Sequence, residues 1–173
     1  IPPPVKVAAL AEELTIFQPE QPTDGAFVLR LRETKPDIGV VVAYGHILKP
    51  ELLELPARGM VNVHPSLLPG LRGAAPVEWA IIRGHETTGV TIMQLDTGMD
   101  SGPILHQIPH RIGPDVTAGE LSAHLAEMGA QALIYSVLRT GSSADAIDGR
   151  VKLFERPLLH TGREKQQRND GEQ

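Results

Sequence analysis

The chain has 173 residues, of which 41% are hydrophobic and 21% charged, and its formal net charge at pH 7 is −5. These values are typical of a globular domain, and the acidic balance with one Trp, two Tyr and three Phe argues against a DNA-binding or base-stacking surface. The lack of cysteine excludes disulfides and thiolate catalysis. No apolar run reaches the roughly 18 residues of a membrane helix, so we expect a cytoplasmic protein with no membrane partner.

The first half of the chain alternates helical and strand patterns. The patterns predict a helix over 5–14, a strand over 15–17, a helix from Thr23 or Asp24 to Glu33, a strand over 38–44, a helix over 50–56 and a strand over 60–64. The run 38–44 is continuously apolar and β-branched, which is typical of a parallel strand covered on both faces. Strand, helix and strand in this order predict a βαβ unit.

The second half continues with a helix over 76–83 and strands over 88–95 and 104–112, in which we expect His106 and His110 to face outward. Thr117 and Glu120 form a capping-box pattern that predicts a helix reaching residue 138. We therefore predict an α/β fold with a mostly parallel sheet in residues 1–140. Residues 141–173 are expected to be a linker and a disordered tail.

Asn62 and His64 are the first candidate site residues. Side chains two apart in an extended strand share one face, and carboxyl ends of parallel strands bind ligands in open α/β sheets. An imidazole can transfer a proton near neutral pH, and an amide can donate to a developing oxyanion. The alternative is that both only satisfy loop backbone groups. Pro65 and Pro69 would stiffen the following loop into an apolar crescent suited to a flat ring.

Asp100 is the candidate that would orient the imidazole, because it lies between two glycines that let the backbone bend. Asp96, closer to the strand end, is better suited to capping the turn. Arg72 either meets an anionic substrate group or is an exposed loop cation. The histidines lack the spacing of metal ligands, so we expect no metal site.

Several motifs together resemble the folate-dependent formyltransferases, in particular the members that act on methionyl-initiator tRNA. The resemblance covers about residues 3 to 140, and its motifs lie at 4–7, 40–45, 61–69 (the N-x-H-x-S-L-L-P pattern), 72–76 and 88–102. It implies a Rossmann-like formyltransferase fold with 10-formyltetrahydrofolate as formyl donor and initiator methionyl-tRNA as acceptor. It also implies that Asn62, His64 and Asp100 are catalytic and that Ser66, Leu67, Leu68 and Pro69 bind the folate.

The chain also departs from the family pattern. The family's first strand, its following helix, the second strand and a basic loop do not precede Ile1, and its carboxyl-terminal domain does not follow. Because the missing strand would expose sheet edges, we expect this chain alone to be poorly stable or inactive. The alternatives are a glycinamide ribonucleotide or amino-sugar formyltransferase, a formyltetrahydrofolate hydrolase, an inactive folate-binding fragment, or a truncated reading frame without function.

Overall fold

A computed structural model describes residues 2–20, 25–45, 47–140 and 153–154. The described residues fall into two compact units, one drawn from the ranges 1–20 and 152–173 and the other from the range 21–151. In chain order the elements are α1 (Pro4–Ala11), β1 (Ile16–Phe17), α2 (Gly25–Glu33), β2 (Gly39–Val42), α3 (Pro50–Leu53), β3 (Met60–His64), α4 (Pro76–Ile82), β4 (Thr87–Gln94), β5 (Ile104–Arg111), α5 (Ala118–Thr140) and β6 (Leu153–Phe154).

The smaller unit contains α1, β1 and β6. Helix α1 starts at Pro4, where the missing N–H of proline costs no intrahelical hydrogen bond, and it buries Ala9. Strand β1 pairs in parallel with β6. The expected strand near 15–17 is therefore confirmed, whereas β6 lies within the segment predicted to be a linker and tail. The remainder of 141–173 is outside the described residues.

The larger unit holds a four-stranded sheet in the order β2-β3-β4-β5. Strands β2 and β3 are parallel and are connected through α3, which confirms the βαβ prediction. Strand β4 is antiparallel to both β3 and β5. The α/β class is confirmed, but the sheet is mixed, because β2 and β3 are parallel while β4 is antiparallel to both of its neighbours.

The core lies between this sheet and α5. It is formed by apolar side chains of β3, β4, α4 and α5, namely Val61, Val77, Val90, Ile92, Leu121, Leu125 and Ala132. The predicted capping box is present: the Thr117 hydroxyl accepts from the Glu120 N–H at 3.3 Å, and the Glu120 carboxylate accepts from the Thr117 N–H at 2.9 Å. The face of α5 that carries Leu121, Leu125 and Ala132 covers the sheet.

Two expectations about strand faces are wrong. Val40 and Val42 of β2 are 40% and 60% exposed, since the described residues leave one face open at this edge of the sheet. His106 and His110 face α5 instead of pointing outward, with ring centroids 4.9 Å from Tyr135 and 4.3 Å from His124. Their positions share the two-residue period of the core residue Ile108, and this period places them on its face.

Within the described ranges, no helix combines the length and apolarity needed to cross a membrane.

Candidate active site

Strand β3 presents Asn62 and His64 on the face of the sheet opposite α5. The alternating residues Val61 and Val63 pack into the core, so the polar pair must point the other way. Asn62 is half-buried, and His64 is only 4% exposed. The two candidate residues therefore share one face at the carboxyl end of the parallel strand, as the sequence predicted.

Both nitrogens of the His64 ring face protein oxygens. Nε2 lies 2.9 Å from the Leu71 carbonyl oxygen, and because a carbonyl only accepts, Nε2 is the donor. Nδ1 lies 3.6 Å from Oδ2 of Asp100, an electrostatic contact that exceeds hydrogen-bond length. The imidazole is thus oriented from two sides.

Asp100 reaches this site from the loop between β4 and β5. Its backbone has φ = +47°, a left-handed conformation that Asn and Asp, after Gly, adopt more often than other residues. Its Oδ2 atom accepts a hydrogen bond from the Gly73 N–H at 2.8 Å. One carboxylate oxygen therefore ties the loop that follows β3 to the imidazole, and this geometry agrees with the predicted orienting role.

Asp96 has the turn-forming contacts expected of it. Its Oδ1 accepts from the Gly98 N–H at 2.9 Å and from the Ser101 hydroxyl at 2.8 Å. These bonds shape the same loop from its base. Arg72 is exposed, which is compatible with either of its two interpretations.

The loop 66–69 follows directly after His64. Ser66 and Leu68 are 1% and 5% exposed, whereas Leu67 is half-buried and Pro69 is exposed. The Ser66 hydroxyl donates to the Gly70 carbonyl oxygen at 2.7 Å, which closes the loop on itself. Buried Ser66 and Leu68 thus shape the loop, and the accessible surface is provided by Leu67, Pro69 and the backbone.

Sequence reasoning missed two residues that hold this loop, Thr91 of β4 and Gln107 of β5. The Thr91 hydroxyl donates to the Ser66 carbonyl oxygen at 2.6 Å, and the Gln107 amide donates to the Leu68 carbonyl oxygen at 2.9 Å. The sequence offered a signal only at Thr91, which is a polar residue between the apolar neighbours Val90 and Ile92 of a buried strand. Gln107 carried no signal, because its partner is 39 residues away.

Other features lie away from this site. Two depressions, of 590 Å³ and 560 Å³, are lined by residues drawn from the ranges 81–86, 110–116 and 120–124, and neither His64 nor Asp100 lines them. His110, in the second, has a lowered pKa because it is shielded from water and lies beside His124. In the described part of the chain no three His, Asp or Glu side chains form a group able to hold a metal. The convergence of oriented polar groups therefore favours the His64 site over these depressions.

Comparison with known proteins adds a family and several relatives. A family profile described as formyl transferase matches residues 2–137. The chain is 53% identical over 133 residues to the methionyl-tRNA formyltransferase of Chloroflexus aggregans, covering 77% of this chain and 43% of that protein. It is 47% identical to the methionyl-tRNA formyltransferase of Myxococcus xanthus, covering 76% and 42%. The chain therefore spans less than half the length of these curated relatives.

Solved structures with the same fold include a phosphoribosylglycinamide formyltransferase from Bacillus halodurans, at 31% identity and TM-score 0.64, covering 73% of this chain and 68% of that one. A glycinamide ribonucleotide transformylase from Geobacillus kaustophilus aligns with TM-score 0.67 at 29% identity, covering 79% and 76%. These neighbours confirm the Rossmann-like formyltransferase fold predicted from the sequence.

Proposed function

This chain belongs to the formyl transferase family, matched over residues 2–137, and from that premise we propose that it transfers a formyl group from 10-formyltetrahydrofolate to the α-amine of methionyl-initiator tRNA. The acceptor is proposed from relatives 47% and 53% identical that carry this name. The observation that carries the chemistry is Asp100 held 3.6 Å from the His64 ring, beside Asn62 on β3. Translation initiation places the proposed reaction in the cytoplasm.

In the proposed mechanism the methionyl amine attacks the formyl carbon, and a new C–N bond forms as negative charge develops on the formyl oxygen. Asn62 and His64 stabilise this charge by hydrogen bonding. Asp100 holds the imidazole and assists removal of the amine proton. The bond from the formyl carbon to the folate nitrogen then breaks, and that nitrogen takes a proton as tetrahydrofolate leaves. These steps use acid–base groups of the chain and need no metal ion.

The proposed mechanism requires a rearrangement at His64. Its Nε2 donates to the Leu71 carbonyl oxygen and its Nδ1 faces Asp100, so neither nitrogen is open to a substrate oxygen. We assign Nε2 to the formyl oxygen, which would replace the Leu71 carbonyl. Breaking that bond costs little if the new acceptor carries developing negative charge, because charge-assisted hydrogen bonds are roughly twice as strong as neutral ones.

The folate is assigned to the loop Ser66, Leu67, Leu68 and Pro69. Leu67 and Pro69 offer the apolar surface for the pterin ring, and the buried pair Ser66 and Leu68 fix the loop backbone. We further propose that residues 1–140 are part of the catalytic domain and that residues 141–173 lie outside it as linker and tail, with the exception of Leu153–Phe154, which pair with β1. The family match, which ends at residue 137, supports this boundary.

The test is formyl transfer from 10-formyltetrahydrofolate by the 173-residue chain, with three acceptors assayed side by side: charged initiator tRNA, glycinamide ribonucleotide and an amino sugar. Because the chain alone is expected to be poorly active, we expect slow transfer, to the tRNA alone, and none in Asn62→Ala or His64→Ala. Glycinamide ribonucleotide is the second candidate, because structural neighbours named for it are 29% and 31% identical. Folate binding that persists in these variants, with no transfer in the parent, would instead identify a non-catalytic folate-binding fragment.

A further inference from the structure

A row of polar side chains crosses three strands beside the candidate site. In the sheet register His64 of β3 lies opposite Thr91 of β4, and Thr91 lies opposite Gln107 of β5. Directly opposed residues in antiparallel pairs project from the same face. The imidazole, the hydroxyl and the carboxamide therefore stand next to one another on the face opposite α5.

The Thr91 hydroxyl uses its full hydrogen-bonding capacity. It donates to the Ser66 carbonyl oxygen at 2.6 Å and accepts from the Leu68 N–H at 3.1 Å and from the Gln107 Nε2 at 2.9 Å. A hydroxyl has one donor and two acceptor sites, so all three are occupied. Thr91 is 0% exposed, and a buried polar group of this kind is costly when it loses its partners.

The Gln107 carboxamide has one possible orientation. Its amide group lies 2.9 Å from the Leu68 carbonyl oxygen and 2.9 Å from the Thr91 hydroxyl oxygen. Because the carbonyl can only accept, the nitrogen and not the oxygen must face Leu68. Together Thr91 and Gln107 bind the backbone of residues 66 and 68 at three points, on alternate residues of the loop.

We propose that Thr91 and Gln107 are positioning residues that hold the loop 66–69 in a fixed register beside His64, and so set where the formyl donor lies relative to the imidazole. This inference rests on the proposed function for the identity of the ligand. The clamp, by which we mean the three hydrogen bonds that join Thr91 and Gln107 to the backbone of residues 66 and 68, does not depend on a ligand. The three hydrogen bonds end on backbone atoms, so they fix the position of the loop without contacting the folate. Misplacement by about 1 Å can cost 10²-fold in rate, which gives such a clamp a functional consequence.

The first test variant is Gln107→Glu, which keeps the side-chain length and replaces the donor nitrogen with an oxygen that faces the Leu68 carbonyl. We expect amide hydrogen exchange at Leu68 to accelerate at least tenfold and the dissociation constant for tetrahydrofolate to rise about tenfold, the loss expected for about one hydrogen bond. Gln131→Glu, an exposed position on α5, is the matched control for the added charge and should change neither value.

The second test separates hydrogen bonding from packing at Thr91. Thr91→Ser keeps the hydroxyl and loses a methyl group, whereas Thr91→Val keeps the shape and loses the hydroxyl. We expect the serine variant to retain the slow exchange of the Leu68 amide and the parent affinity for tetrahydrofolate, and the valine variant to lose both. Reversed behaviour would show that Thr91 only fills space, and would overturn the clamp.

The two measurements also distinguish the inference from the proposed function. Unchanged Leu68 exchange in Gln107→Glu refutes the clamp whatever the ligand. Accelerated exchange with unchanged tetrahydrofolate affinity refutes donor positioning, since the loop would then move without consequence for the folate. A parent chain that does not bind tetrahydrofolate refutes the proposed function and donor positioning together, while the exchange experiment still decides whether the clamp exists.

Discussion

Two glycines of α5 provide a matched pair for testing how closely this helix packs on β3. A Cβ atom added at Gly129 would lie 2.8 Å from Cγ1 of Val63, whereas one added at Gly119 meets nothing within 4 Å. Replacing Gly by Ala in a helix gains about 0.5–1 kcal/mol from backbone entropy. Forcing an extra methyl group into a packed core costs about 1–3 kcal/mol. We therefore expect Gly119→Ala to stabilise by up to about 1 kcal/mol and Gly129→Ala to destabilise by up to about 2 kcal/mol.

The assay is urea unfolding followed by circular dichroism, with the free energy of unfolding of the two variants compared with the parent. Val63→Ala removes the clashing methyl groups, so Gly129→Ala should cost much less in that background, which a double-mutant cycle measures. A Gly129→Ala variant at least as stable as Gly119→Ala would refute the close approach of α5 to β3. Because Val63 lies between Asn62 and His64, that result would also remove the evidence that packing against α5 fixes the face of the proposed catalytic pair.

Three further predictions concern charge. Asp100→Asn keeps an acceptor oxygen but removes the negative charge beside the imidazole. The rate of formyl transfer should therefore fall about 10²-fold, with little change in tetrahydrofolate affinity. A variant that transfers formyl groups as fast as the parent would refute the orienting role. Burial and, secondarily, His124 lower the pKa of His110 from 6.5. The folded state is therefore stabilised above pH 6.5, and this stability is lost as the pH falls through the lowered pKa of the folded state. In urea unfolding, His124→Gln should make the loss of stability between pH 7.5 and pH 5.5 smaller. The backbone N–H and the hydroxyl of Thr117 lower the pKa of Glu120 from 4.5, so stability present above that pH is lost in more acidic solution. Glu120→Gln should make the difference in the free energy of unfolding between pH 6 and pH 3 smaller.

The local patterns predicted the elements well where sequence-local forces decide. The strand over 60–64 has the predicted bounds, because Gly59 and Pro65 limit it on either side. The capping box at Thr117 forms as predicted, since both of its partners lie within one helical turn. The direction of β4 against β3 depends on how the long connection through α4 runs, and no local pattern in the sequence encodes that path.

The orientation of His106 and His110 shows a different limit. The alternation in β5 correctly placed both on one face, but polarity suggested solvent, whereas α5 covers that face and provides ring partners. The same limit applies to Thr91 and Gln107, whose partners in the loop after His64 are 23 to 39 residues away. Tertiary packing determines such contacts, and a single sequence carries no direct record of it.

Three residues near the candidate site have a left-handed backbone conformation. Leu71, Ala75 and Asp100 have φ values of +55°, +55° and +47°, and the first and last of these contact His64 directly. Each such residue costs of the order of 1–3 kcal/mol, and it persists only where surrounding contacts enforce it. Here the contacts are the hydrogen bonds from His64 to Leu71 and from Gly73 to Asp100, so the same atoms that orient the imidazole also hold the strained backbone. Left-handed residues also occur away from His64, at Glu13, Lys35 and Ala43, so strain by itself does not mark the site. The proposal that His64 is catalytic therefore rests on its contacts with Leu71 and Asp100 from two sides of the ring.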